Sequence, residues 1–408
     1  MMEADWEKRG SQLVCTVASG SSAMGYVVID SVVGGRSCGG LRMLPDIDEG
    51  EMRALARAMT LKYGFLGLPQ GGAKAGVRGD PESFQEERRL QLEAFGRAIA
   101  PLLRSHVYVP GTDMGTNNAD IRHMLGAAGV PVRRRELRGT NSGYYTALTV
   151  KAGAEQAAKH MGLTLSGSSA AIEGFGKVGS ALAGLLATAN VRVVAISTLK
   201  GAIFNPQGLD VRRLLHLATK EGSRVIELYP EAERLDRAAM LELPVDFLCP
   251  CARGNSLHAD NGDRVKARII CPGANDPVTR EAEEMLSKRG VLCMPDFVTN
   301  CGGVLGGTME FAAVSKIRIA AFVERHIGAR MAWLLNEAMR QGVLPREIAE
   351  RISRRRFEQV CRSAEHPTAL SRLFNLALGL YRRGCIPGLL VGSFSLPYFE
   401  KSLAKCCQ

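Results

Sequence analysis

Met52, Leu55, Ala56, Met59, Tyr63 and Leu66 recur at three- and four-residue intervals. Such a stripe predicts an amphipathic helix over about 50–66, with Lys62 at the edge of its apolar face. Upstream, the short apolar runs at 13–17 and 25–30 read as strands. A second helix is predicted over about 83–104, opened by Asp80-Pro81-Glu82-Ser83. A short strand at 107–110 then leads into Gly111-Thr112-Asp113-Met114-Gly115-Thr116. Strands and helices in alternation predict an α/β domain with a mixed sheet.

The rhythm changes near residue 145. A long helix (146–161) precedes an apolar strand and the run Gly174-Phe175-Gly176-Lys177-Val178-Gly179, after which come a helix to 188 and a strand at 191–196. A lone GxGxxG says little, but strand, glycine turn, helix and second strand together are the context of a dinucleotide fold. The glycines allow a tight turn and close approach of a pyrophosphate to free helix amides. The acidic residue expected at the end of the second strand, for the ribose hydroxyls, is missing; that strand ends Ser197-Thr198-Leu199-Lys200. Without that carboxylate a 2′-phosphate is not repelled and Lys200 can attract one, so NADP stands beside NAD. Further strands at 244–248, 267–270 and 291–294 end in small-residue loops carrying Cys251, Ala252, Asn275 and Asn300. In a doubly wound sheet such strand ends surround the cofactor crevice. Helices dominate from about 312 onward.

A chain of 408 residues exceeds one hydrophobic core. The expected division is a first domain over 1–145, joined by C-terminal helices at about 325–408, and a Rossmann-like domain over 146–324. Apolar content of 46% and a mean hydropathy of −0.01 describe a globular chain, and no run is long enough to span a bilayer. The N-terminus lacks the basic-then-apolar pattern of a signal peptide, so a cytoplasmic location is expected. The 11 cysteines, many in apolar segments, suit reduced thiols better than a disulfide framework, and neither they nor the 7 histidines show metal-site spacing. The net charge of +11 is densest at Arg133-Arg134-Arg135 and across 351–356, without aromatic interleaving. It reads as solvated faces or subunit contacts, with neither nucleic acid nor membrane as partner.

Lys74 follows Lys62 by twelve positions, inside Gly67-Leu68-Pro69-Gln70-Gly71-Gly72-Ala73-Lys74-Ala75-Gly76, read as a glycine-rich turn. Small neighbours give the lysine stem apolar walls, and desolvation disfavours its ammonium form, so this amine can serve as a base.

These motifs, in this order, resemble the glutamate/leucine/phenylalanine/valine dehydrogenase family from about residue 10 to about 360. The resemblance is carried by Gly39-Gly40-Leu41-Arg42-Met43, the segment from Leu68 to Gly76, Thr112 to Thr116, Gly174 to Gly179, Gly273-Ala274-Asn275, and Pro295 through Val304. It implies NAD(P)-dependent interconversion of an L-amino acid with its 2-oxo acid and ammonia, by a homo-oligomer (hexamer or octamer). It further implies that Lys62, with Gly39 and Gly40, holds the substrate carboxylate and that Lys74 and Asp113 are catalytic. Thr140 is implied beside the nicotinamide at a hinge between domains that close on the substrate, with Asn275 and Asn300 lining the same side. Glutamate-specific members carry a lysine just before Gly-Gly-x-Arg; here the residue is Cys38, which favours an apolar or small side chain. The Leu68–Lys74 segment looks closer to the glutamate branch. Pro272, Asn141 and Thr198 also depart from the pattern. Three alternatives stay open: a glutamate dehydrogenase, a relative acting on an unusual amino or keto acid, and a silent regulatory homologue.

Overall fold

The computed structural model describes residues 10–20, 22–132 and 141–367. Toward the C-terminus it also describes 372, 376–377, 379–381, 383–386, 391–392 and 395–400. The chain divides into two α/β units, one formed by Met1–Gly139 with Ile352–Phe394, the other by Thr140–Arg351 with Ser395–Gln408.

The first unit is built on a five-stranded mixed sheet. Its strands are β1 (Leu13–Ser19), β2 (Ser22–Ile29), β3 (Ser37–Leu44), β4 (Gly71–Arg78) and β5 (Tyr108–Thr112), in the spatial order β1-β2-β4-β3-β5. β2 runs antiparallel to β1 and β4, whereas β3 is parallel to both β4 and β5. Side-chain alternation separates the faces. Val27, Ile29, Leu41, Met43, Ala73, Ala75 and Val77 pack with Leu92 and Phe95 of the Gln85–Ala98 helix. The opposite face, with Tyr26 and Val28, packs on Met52, Leu55 and Ala56 of the Glu49–Leu66 helix. That helix is capped by the Asp48 side chain on the Glu51 amide and ends at Gly67 in a left-handed conformation (φ 65°).

One expectation fails here in an instructive way. Lys74 lies in strand β4, with Val28 as its β2 partner, and not in a turn. The glycines are needed because this strand is crowded: a Cβ on Gly76 would sit 2.6 Å from Ile47 Cγ2 and 2.8 Å from Met52 Sδ. Composition alone suggested a turn; close packing between helix and strand is the competing cause.

The second unit carries a seven-stranded sheet in the order β12-β11-β10-β6-β7-β8-β9. The strands are β6 (Ser169–Glu173), β7 (Arg192–Thr198), β8 (Gly201–Phe204), β9 (Glu233–Leu235), β10 (Phe247–Pro250), β11 (Ile269–Ile270) and β12 (Leu292–Cys293). Five are parallel; β8 and β9, which sequence reading missed, extend the β7 edge antiparallel. From β6 the chain proceeds to β7 on one side and later returns to β10 on the other, so the order reverses between β6 and β10. In doubly wound sheets that reversal opens the ligand crevice at the strand C-termini.

The expected grouping of all C-terminal helices with the first unit needs correction. The Gly328–Gln341 helix belongs to the second unit, where it packs on the Ser142–His160 helix, with Met331 Sδ 3.6 Å from where a Cβ on Gly153 would lie. Met331, Leu334 and Leu335 are buried there. The Pro345–Glu365 helix begins in the second unit and continues into the first, where Arg356 donates to the Phe65 carbonyl at 2.6 Å. Among the described residues no helix is long and apolar enough to cross a membrane.

Candidate functional site

In the first unit, period-two alternation brings the sequence-selected residues onto one sheet face. Cys38, Gly40 and Arg42 of β3 share the face of Lys74 on β4, the face covered by the Glu49–Leu66 helix. Lys62, in the last turns of that helix, is buried (4% exposed) rather than edging its apolar stripe. Asp113 follows β5 directly. Its Oδ2 accepts from Lys74 Nζ, and its Oδ1 accepts from the Met114 amide at 2.7 Å. Thr116 Oγ1 accepts from the Asp113 amide at 3.0 Å and donates to Leu41 O at 2.7 Å, which ties this turn to β3. Gly40 makes room for the carboxylate: a Cβ there would lie 2.8 Å from Asp113 Cβ. At Gly39 a side chain would overlap the Ala73 carbonyl, so packing alone already requires glycine at both positions.

The electrostatics follow from this burial. Desolvation lowers the Lys74 ammonium from the usual lysine range, opposed by the Asp113 charge and assisted by Arg42. Burial acts to raise the Asp113 carboxyl, but the Lys74 and Arg42 charges outweigh it and hold the group well below the usual carboxylate range. A lysine whose ammonium form is disfavoured by burial, beside a fixed carboxylate, can activate a water and pass protons. Cys38 lies at the same face, its thiol pushed up by burial and hydrogen-bonded to Tyr63; Tyr108 donates to Gly39 O at 3.2 Å. These neighbours are neutral.

Sequence reading gave no role to Arg42 and Glu51. Arg42 is buried, pairs with Glu51 at 2.7 Å and lies 3.6 Å from Asp113 Oδ2. The signal was there: Arg42 stands two and four residues beyond Gly40 and Cys38 on one strand.

In the second unit the glycine run sits at the C-terminal end of β6, beside β10, and opens the 12-residue Lys177–Thr188 helix. Gly174 has φ 86°, and a Cβ there would lie 2.9 Å from Ala252 Cα. On Gly179, a Cβ would overlap the Gly174 carbonyl. Gly176 differs, because its Cβ position meets nothing within 4 Å. No atom of the described residues demands glycine there, while an approaching pyrophosphate at the helix amides would. Phe175 is buried, Lys177 exposed and Val178 half-buried. The residues present therefore fit a dinucleotide.

At the end of β7, Thr198 Oγ1 donates to Ser223 O at 2.8 Å and accepts from the Lys200 amide at 3.1 Å. The hydroxyl is thus committed to the turn, which leaves Lys200 exposed. The Cys251 amide donates to Glu173 O at 2.7 Å, setting Cys251 and Ala252 beside the glycine run. Asn300 Nδ2 donates to Ala274 O (2.7 Å) and Asn275 Oδ1 (3.0 Å), while its own Oδ1 is buried without a hydrogen-bond partner among the described residues. Buried polar atoms left this way are uncommon and mark a place for a ligand or water. Asp296 Oδ2 accepts from the Asp276 amide at 2.9 Å, and Asp296 Oδ1 accepts from Arg346 at 3.0 Å; Arg346 also meets Glu283 at 2.5 Å. This buried ion triad fixes the loop that carries Asn275. Thr140 lies outside the described residues.

Residues 12–129 match the model of the Glu/Leu/Phe/Val dehydrogenase dimerisation domain, and residues 141–343 that of Glutamate/Leucine/Phenylalanine/Valine dehydrogenase. The glutamate dehydrogenase of Thermotoga maritima is 37% identical over 304 residues, covering 70% of this chain and 72% of that protein. The NAD-specific glutamate dehydrogenase of Staphylococcus aureus (strain COL) is 35% identical over 292 residues, 68% of this chain and 69% of its own length. Among solved structures, the hetero-hexameric glutamate dehydrogenase of Thermus thermophilus in a Leu-bound form superposes with a TM-score of 0.75 at 24% identity. It covers 88% of this chain and 94% of that one, a likeness of fold. This chain belongs to the Glutamate/Leucine/Phenylalanine/Valine dehydrogenase family and is an amino acid dehydrogenase of that nicotinamide-dependent class.

Proposed function

We propose that the chain catalyses the NAD(P)-dependent oxidative deamination of a non-acidic L-amino acid, of the leucine, valine or phenylalanine type, and the reverse reductive amination. The observation that carries this reading is the pairing of half-buried Asp113 with buried Lys74, which shares a sheet face with the uncharged Cys38. Lys62 holds the substrate carboxylate, with the Gly39–Gly40 backbone beside it. The bound dinucleotide supplies the hydride acceptor at its nicotinamide. Once hydride has left Cα, the substrate is an iminium; Lys74, its ammonium form disfavoured by burial, assists attack of water on it and stabilises the carbinolamine oxygen. Asp113 takes and returns the protons that let ammonia depart. Gly174, Phe175, Gly176, Lys177, Val178 and Gly179 hold the dinucleotide, with Cys251 and Ala252 alongside and Asn275, Asn300 and Thr140 on the nicotinamide side. Thr198 shapes the turn that presents Lys200, whose charge supports acceptance of a 2′-phosphate. Assembly as a homo-oligomer, hexameric or octameric, belongs to the same reading.

Glutamate is the second reading, favoured by the names of the relatives above. Against it, position 38 itself supplies no cation to a second carboxylate, and the cations that share its face are engaged, Arg42 by Glu51 and Lys74 by Asp113, while an unpaired buried carboxylate is costly. The test is Lys74→Ala: a protein that still binds NADH but loses turnover by about 10²–10⁴-fold supports the role, and turnover at the parent rate removes Lys74 from the chemistry.

A further inference from the structure

Asp113 Oδ2 is shared by two cations. Lys74 Nζ donates to it, and Arg42 Nη2 stands 3.6 Å away, while Arg42 Nη1 is held by Glu51 Oε1 at 2.7 Å. Arg42 is 4% exposed, and its Nε is buried with no hydrogen-bond partner among the described residues. A guanidinium kept dry with one donor unmet is costly, and a surface ion pair would join the same two elements at less expense. Glu51 is rigidly placed, since its amide donates to the Asp48 cap in the first turn of the Glu49–Leu66 helix.

We propose that Arg42 and Glu51 form a positioning pair for the Lys74–Asp113 couple. Arg42 anchors the Asp113 carboxylate and opposes the charge on Lys74, and Glu51 governs how much of the Arg42 charge reaches either. The inference rests on the reading of Lys74 as the base. Among the described residues, the charged groups facing Lys74 are Asp113, Arg42 and Glu51; those facing Asp113 are Lys74 and Arg42, with the Tyr108 hydroxyl as its titratable neighbour. Arginine stays cationic at every working pH. Neutralising Glu51 leaves the Arg42 charge uncompensated, which drives Lys74 toward its neutral form. Neutralising Arg42 does the opposite.

The sign of the two effects is the test. In Glu51→Gln the pH at which the Lys74 amine becomes neutral falls by about one unit, the ordinary size of one neighbouring charge. Arg42→Gln raises it by a similar amount, Arg42→Lys restores the parent value, and the double variant Arg42→Gln/Glu51→Gln returns close to it. The readout is trace acetylation of Lys74 by acetic anhydride across pH, followed by mass spectrometry of its peptide, which needs no knowledge of the substrate. Glu51→Gln is isosteric and keeps a hydrogen bond to Arg42, so it serves if Arg42→Gln fails to fold. Opposed shifts support the pairing. An unchanged Lys74 profile in folded Glu51→Gln, or shifts of the same sign in both single variants, overturns it. If Lys74→Ala also turns over at the parent rate, the base assignment has failed; if only the profile stays still, the pairing alone has.

Discussion

Two alanine substitutions three residues apart, Gly176→Ala and Gly179→Ala, should both weaken dinucleotide binding, for different physical reasons. At Gly176 φ is negative (φ −88°, ψ −156°), and among the described residues a Cβ meets nothing within 4 Å. The methyl meets no packing clash and restricts the unfolded chain, while alanine is a poorer helix N-cap than glycine, so the two effects offset and stability should stay within about 1 kcal/mol of the parent. The same methyl stands where a pyrophosphate approaches the helix amides. Overpacking of about 1–3 kcal/mol corresponds to roughly 5–150-fold weaker binding. At Gly179 the Cβ would overlap the Gly174 carbonyl, a backbone atom that cannot swing aside, so helix and strand must separate. That variant should lose at least about 1–3 kcal/mol of stability, with binding failing as a consequence. Thermal unfolding and NADH fluorescence titration separate the two. Gly176→Ala binding NADH as tightly as the parent, or melting well below it, would refute the reasoning.

Cys38→Lys should gain glutamate or 2-oxoglutarate turnover, by tenfold or more if one restored charge pair adds about 1.4 kcal/mol of binding; a folded variant without gain, in initial-rate assays, moves specificity elsewhere. Arg346→Met would strand the Glu283 and Asp296 carboxylates in the interior. The loss should be about 3–5 kcal/mol, read as a melting point lower by roughly 5–10 °C. An unchanged melting point would show that the triad is dispensable. Lys74→Ala should fold and bind NADH while losing turnover, as described above.

Much of the second unit was legible because its motif is local. Strand, Gly174-to-Gly179 turn and helix are consecutive in sequence, and Gly174 and Gly179 each answer a steric demand. The first unit was harder to read. Gly71-Gly72-Ala73-Lys74 has the composition of a turn, yet it is a strand whose glycines admit a helix packed across it. That demand comes from residues distant in sequence. The pairing of Arg42 with Glu51 is similarly non-local, since it joins a strand to the start of the following helix. Strands β8 and β9 were missed because three- and four-residue segments carry too little periodicity. The C-terminal helices show apolar spacing, but spacing cannot say which unit they cover.

The central claim is that a Lys74-dependent site oxidises an apolar amino acid. The measurement that tests it most directly follows the reduced-nicotinamide absorbance band. Purified protein would be given leucine, valine, phenylalanine or glutamate, each with NAD⁺ and with NADP⁺, alongside Lys74→Ala. The account predicts turnover of an apolar amino acid well above that of glutamate, and its loss in the variant. Glutamate turned over in preference to all three, or equal rates with and without the Lys74 amine, would contradict it.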